Sequence, residues 1–140
     1  MTIESLFAAA RAVRERAYAP YSGFQVGAAI LSRNGHTYLG CNIENAAYPS
    51  GTCAEQAAIA AMVAAGENEI AAIAIAGSAP APCFPCGACR QRIREFANGD
   101  TKVIAGGTLG AERVETTLDQ LLPHAFGPEQ LPGLSGLEGS

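Results

Sequence analysis

The sequence predicts an α/β domain built in layers, with helices packed on a central mixed sheet. Apolar segments of strand length alternate with helical ones along the chain, the pattern that lays helices over strands. A tight-turn signal, Asn34-Gly35, joins two short apolar runs as a hairpin, so part of the sheet is antiparallel. At 140 residues, 49% apolar and 16% charged, the chain suits one domain with a real core rather than a solvated, disordered segment.

Residues Ile3–Ala17 place Leu6, Phe7, Ala10, Val13 and Ala17 at helical spacing, and Pro20 is expected to end that helix. Val26–Leu31 and His36–Cys41 read as strands around the Ser32–Gly35 turn. Asn42–Thr52, with Asn, Pro and small residues, reads as a loop. Cys53–Ala65 is alanine-rich without a breaker until Gly66, which predicts a buried helix capped by that glycine. Ile70–Ala76 has strand length, Ser78–Pro85 holds three prolines and reads as a loop, and Gly87–Ala97 is a further helix. Lys102–Ala105 is a weaker strand and Leu118–Leu122 a short helix. The Gly, Pro and Ser of the last residues predict a mobile tail over 132–140, after a domain spanning 1–131.

The net charge is −4. Binding to a nucleic-acid backbone draws its affinity from phosphate neutralisation, and no basic stripe is present to supply it. The densest basic group, Arg11, Arg14 and Arg16, lies on a helix and reads as a solvated face. Small molecules are therefore the expected partners. The longest apolar stretches are too short or too interrupted to span a bilayer. No basic region precedes the apolar patch near the N-terminus, so a signal peptide is not expected and a cytoplasmic location is.

Five cysteines are present: Cys41, Cys53, Cys83, Cys86 and Cys89. An odd count in such a chain argues against a disulfide framework and for metal binding or catalysis. Cys86 and Cys89 are three apart at the start of a helix, so both sulfurs share one face and can grip one ion. Cys53 opens another helix, and helix N-termini favour the thiolate form. Three thiolates suit zinc and leave a fourth place for water, whereas four close the site. Cys83 keeps the alternatives open, since it can complete a four-cysteine structural site. An iron–sulfur cluster would require a fourth cysteine where Ile93 stands. Glu55, two residues from Cys53, favours catalysis, because a carboxylate there can carry protons for an activated water.

Cys53-Ala54-Glu55 with Pro85-Cys86-Gly87-Ala88-Cys89 matches the zinc-deaminase signature of a ligand, any residue, glutamate, then Pro-Cys-x-x-Cys. The blocks Ala19–Ala29 (APYSGFQVGAA), Gly40–Pro49 (GCNIENAAYP), Cys86–Phe96 (CGACRQRIREF) and Leu121–Gln130 (LLPHAFGPEQ) resemble the small homotetrameric cytidine deaminases over roughly residues 4–131. The resemblance implies a three-layer fold, a mixed five-stranded sheet with helices on both faces. It implies one zinc per subunit on Cys53, Cys86 and Cys89, and Glu55 as proton carrier. It implies that Asn42 and Glu44 read the sugar, that Phe24 walls the pyrimidine, and that the Ala54 carbonyl reads the exocyclic amine. Tyr48 and Phe126 resemble residues that neighbouring subunits place near the sugar and over the base, so active sites would be completed in a homotetramer. The implied reaction is hydrolysis of free cytidine and deoxycytidine to uridine and deoxyuridine with release of ammonia.

One position departs from the pattern. Gln56 stands where many members with three cysteine ligands carry arginine, and it brings hydrogen bonds without charge. Gln56→Arg is therefore expected to raise activity or zinc affinity. Three competing readings remain at this stage: a deaminase of a modified cytosine nucleoside such as blasticidin S, a polynucleotide deaminase, and a non-catalytic zinc module with Cys83 on the metal.

Overall fold

Alternation along two central strands sorts the apolar residues onto two faces, and the helices follow. The computed structural model describes residues 1–109 and 113–131. Its strands are β1 (Val26–Ser32), β2 (Thr37–Cys41), β3 (Ile70–Gly77), β4 (Lys102–Gly106) and β5 (Val114–Thr117), in the order β2-β1-β3-β4-β5. Its helices are α1 (Ile3–Arg14), α2 (Ala54–Ala64), α3 (Gly87–Glu95) and α4 (Leu118–Leu121).

On one face Ala28 and Ile30 of β1 and Ile73 and Ile75 of β3 pack with Ala58, Ile59 and Met62 of α2 and Ile93 of α3. The intervening residues, Ala29, Ala72, Ala74 and Ala76, meet Leu6, Phe7 and Ala10 of α1 on the other. Small side chains on that second face leave room for the buried ring of Phe7. The β1–β3 register pairs Ala28 with Ile75 and Ile30 with Ile73, so the large residues of both strands gather on one face. Each such isoleucine, fully buried, contributes about 1.5–3 kcal/mol through the area it removes from water. The result is three layers with a mixed five-stranded sheet in the middle.

Strand direction decides where the chemistry collects. β2 and β3 both pair antiparallel with β1, so they run the same way, and β4 pairs parallel with β3. Same-direction strands need crossovers, here α2 between β2 and β3 and α3 between β3 and β4. Both helices lie on the same face and begin after strands of the same direction. Their N-termini therefore meet above the C-terminal ends of those strands, the usual ligand end of such sheets.

Several boundaries differ from the sequence expectation, each for a tertiary reason. α1 stops at Arg14, well before Pro20, because the chain is drawn into a bridge between Tyr18 and Ile43. There Tyr18 N–H donates to Asn42 O at 3.0 Å and Glu44 N–H to Tyr18 O at 2.8 Å. α3 stops at Glu95 rather than Ala97, since the Phe96 carbonyl turns away to accept from Ile70 N–H at 2.8 Å and seat the start of β3. The expected loop 42–52 contains a second bridge, Ile43 to Thr52, and a 3-10 turn at Tyr48–Ser50. β5, implied by the family resemblance but not by periodicity, is a short edge strand whose residues are all exposed or half-buried. The tail over 132–140, expected to be mobile, lies outside the described residues.

Candidate active site

Cys53 is the N-cap of α2 and Cys86 the N-cap of α3, both in extended backbone conformation. Neither helix has a side-chain cap, so the free N–H groups of two first turns are left for negatively charged sulfur. Cys89 follows within the first turn of α3 and is fully buried. The three sulfurs lie within 4.8 Å of one another. Tetrahedral thiolates at a Zn–S distance of about 2.3 Å stand roughly 3.8 Å apart, so the donor set fits one zinc with little movement and leaves a fourth place free.

Cys83 is not part of that group. It sits in the loop ahead of Pro85, against Gly77, and burial pushes its thiol up to about 11. The closed four-cysteine reading loses its fourth donor. Burial likewise raises the thiols of Cys53 and Cys89 in the absence of metal. For Cys86, burial acts upward but is outweighed by the backbone N–H and the thiol of Cys89, and its thiol is lowered.

Glu55 enters from the first turn of α2 and is only 5% exposed. Burial raises its carboxyl above the ordinary range, partly offset by hydrogen bonds and by the charge of Arg92. A carboxyl raised in this way is better matched to taking and returning a proton near neutral pH.

These groups lie at one side of a cavity of about 630 Å³, a volume suited to a small organic molecule. Asn42, Glu44, Tyr48, Cys53, Ala54, Glu55 and Cys86 all line it, with Cys83, Phe84 and Val26 supplying apolar wall. Glu44 is held by the turn after Pro20: its Oε1 accepts from Tyr21 and Ser22 N–H, and its Oε2 from the Ser22 hydroxyl. Those bonds, the Ser22 hydroxyl foremost, lower its pKa and keep it charged. Asn42 is tied at both ends, accepting from Val26 N–H at 2.8 Å and donating to Phe24 O at 2.8 Å. Its amide therefore shapes the cavity wall as well as facing it.

Two expected residues stand elsewhere within this one chain. Phe24 packs near Gly77 and does not line the cavity. Phe126 is 54% exposed and outside it, with its carbonyl accepting from Gln91 Nε2 at 2.9 Å. Tyr48 lines the mouth yet is 79% exposed, in an edge-on contact with Tyr21.

Sequence reasoning missed two arginines of α3. Arg90 donates from Nε to Pro85 O at 2.8 Å and from Nη1 to Leu121 O at 2.7 Å, which fixes the approach to Cys86. Arg92 donates from Nη1 to Cys89 Sγ at 3.4 Å. Its position three residues beyond Cys89 on one helix was the available signal, since such residues are surface neighbours.

Residues 1–106, which carry all three cysteines and Glu55, match the family model described as the cytidine and deoxycytidylate deaminase zinc-binding region. A cytidine deaminase of Sporosarcina psychrophila is 46% identical over 131 residues, 94% of this chain and 96% of that protein. A cytidine deaminase of Halalkalibacterium halodurans is 45% identical, covering 84% of this chain and 89% of its own. The crystal structure of a cytidine deaminase from Burkholderia pseudomallei superposes with a TM-score of 0.85 at 44% identity, covering 90% of this chain and all of that one. Paired thiolate-bearing helix starts, a buried glutamate beside them and agreement along nearly the whole chain have one explanation: the chain belongs to the cytidine and deoxycytidylate deaminase family with its zinc-binding region.

Proposed function

We propose that this protein hydrolyses free cytidine and deoxycytidine to the uracil nucleosides and ammonia, and that residues 1–131 form the deaminase domain. The observation that carries the reading is that Glu55, Cys53 and Cys86 line one cavity with Glu44 and Asn42, with the Cys89 sulfur within 4.8 Å of the other two. Charge supports a small neutral substrate over a polynucleotide, since the chain carries −4 and no basic stripe.

Cys53, Cys86 and Cys89 hold the metal. Bound zinc supplies an activated water, because a metal lowers the pKa of the water it holds toward neutrality. The Glu55 carboxylate accepts a proton from the attacking water and delivers it to N3 of the pyrimidine, then takes the second proton from the hydroxyl formed at C4 and passes it to the departing amine at the exocyclic nitrogen. Water adds at C4, the C4–N bond breaks, and the carbonyl of uridine remains. The Ala54 carbonyl accepts from the exocyclic amine and selects cytosine, while Val26, Phe84 and the other apolar walls exclude bulk water.

Glu44 binds the sugar. An ionised carboxylate offers about four acceptor positions. Three go to Tyr21 N–H, Ser22 N–H and the Ser22 hydroxyl, which leaves one for a ligand hydroxyl. Both nucleosides carry the 3′-hydroxyl, so Glu44→Gln is expected to raise KM for each by about 10- to 100-fold, the value of a hydrogen bond to a charged group. Steady-state kinetics on the two substrates check this, with kcat changing less than KM.

The active assembly is a cytoplasmic homotetramer whose sites are completed by neighbours through Tyr48 and Phe126, while Phe24 walls the pyrimidine. Exposed aromatic and aliphatic side chains at the cavity rim, Tyr21, Ile43 and Tyr48, support a covered rather than a solvated mouth. No described helix is long and apolar enough to cross a membrane. The zinc-loaded protein is expected to convert both nucleosides, followed by ultraviolet absorbance and ammonia release, at a mass four times the 14.3 kDa chain. A folded, zinc-loaded protein without turnover on either nucleoside would overturn the substrate assignment.

A further inference from the structure

Three thiolates around Zn²⁺ sum to a charge of −1, and Glu55 adds another carboxyl beside them. Cys89 and Glu55 are both buried, where an uncompensated negative charge is costly. The first turn of α2 offers no cation: Gln56 is neutral, and its side chain makes no hydrogen bond among the described residues. The compensating charge comes from the other helix.

The three arginines of α3 are sorted by task. Arg90 is spent on the carbonyls of Pro85 and Leu121, and Arg94 pairs with Glu129 at 2.6 Å. Arg92 alone turns to the metal cluster, with Nη1 at 3.4 Å from Cys89 Sγ. Among the described residues no carboxylate lies within ion-pair distance of Arg92. Its guanidinium is permanently charged and carries five N–H donors, of which one is on sulfur.

We propose that Arg92 is a positioning residue of the zinc site, holding the Cys89 thiolate by a charge-assisted hydrogen bond and offsetting the surplus negative charge of the three-thiolate centre from the α3 side. This rests on Cys53, Cys86 and Cys89 being the ligands. Arg92 does not touch substrate; it acts through Cys89 on how tightly the centre holds its metal. The neutral Gln56 is tolerated because Arg92 is there, so Gln56→Arg in the otherwise unchanged protein gains less than the sequence alone suggested.

The test compares the zinc-loaded protein with Arg92→Gln, Arg92→Lys and the double variant Arg92→Gln/Gln56→Arg. Zinc affinity is read by competition with a chromogenic chelator, and thiolate bonding by the sulfur-to-metal charge-transfer band after cobalt substitution. Arg92→Gln is expected to weaken zinc binding roughly 10- to 100-fold, the range for hydrogen bonds to charged groups, and to shift the cobalt band. Arg92→Lys keeps the charge without the planar fork and falls between. Restoring charge from α2 in the double variant recovers at least tenfold of the loss. Zinc affinity and cobalt spectrum unchanged in Arg92→Gln, or Lys behaving no better than Gln, would overturn the proposal. If the unsubstituted protein itself fails to hold one zinc per chain, or shows no sulfur-to-cobalt band, the ligand assignment fails instead. Should Arg92→Gln fold poorly, the lysine variant and the spectrum still decide.

Discussion

Glu55→Gln is expected to lower kcat for cytidine by about 100- to 10,000-fold while the protein keeps its fold and its zinc. The exchange preserves shape: an amide replaces a carboxyl of nearly the same volume at a position only 5% exposed, so the cavity does not collapse. What disappears is the capacity to accept and return a proton. The amide can still hydrogen-bond, so nucleoside binding should persist and KM should move far less than kcat. Stability should not suffer, because burial already works against the charged form of Glu55 and a neutral amide avoids that cost. Three measurements on one preparation check the argument: ultraviolet kinetics, metal content and a thermal melt. Turnover within tenfold of the original at full zinc occupancy would remove Glu55 as the proton carrier. Lost turnover together with lost zinc would make its role structural.

The parts of this molecule that were legible in the sequence are those set by local spacing. Cys86 and Cys89 share a helix face by their separation, and Cys53 with Glu55 opens an alanine-rich run, so the metal group could be listed before any fold was known. The hairpin at Asn34-Gly35 and the strand length of the apolar run Ile70–Ala76 were legible for the same reason. What was not legible depended on distant segments. Arg14 ends α1 because Tyr18 has a partner in Ile43, and nothing in the helix itself predicts that. Val114–Thr117 pairs at a sheet edge with no buried residue, so it has no apolar pattern to find. Asn42 was expected to serve a ligand, yet its amide also binds Val26 N–H and Phe24 O. Phe24 and Phe126 were expected to contact the base, but neither lines the cavity of a single chain. An aromatic residue carries no local mark of which chain it serves. Arg92 was hidden for a different reason: the family pattern places the cation at position 56 on α2, while here it stands one turn beyond Cys89 on α3.

Gly40→Ala is expected to cost about 3 kcal/mol or more of stability and to depress kcat/KM about 100-fold, although residue 40 touches neither metal nor cavity. Gly40 lies on β2 directly beneath the first turns of α2. A Cβ built there falls 2.3 Å from Ala58 N and 2.5 Å from Ala54 O, both backbone atoms. Backbone cannot rotate aside as a side chain does, so either the helix lifts or the strand bends. Lifting α2 moves Cys53, Glu55 and the Ala54 carbonyl together, and a displacement near 1 Å is enough for a large loss in rate. The matched control is Gly66→Ala, at the end of the same helix. Gly66 has φ of +92° and nothing within 4 Å of a Cβ, so alanine there strains one residue of backbone without pushing the helix. It should cost roughly 1–2 kcal/mol and leave kcat and zinc affinity unchanged. Urea titrations with steady-state kinetics on both variants separate the two effects. Equal losses of activity at residues 40 and 66 would mean that global stability, and not the seat of α2, governs the site. An active, zinc-tight Gly40→Ala protein would mean that α2 can move without carrying the active site with it.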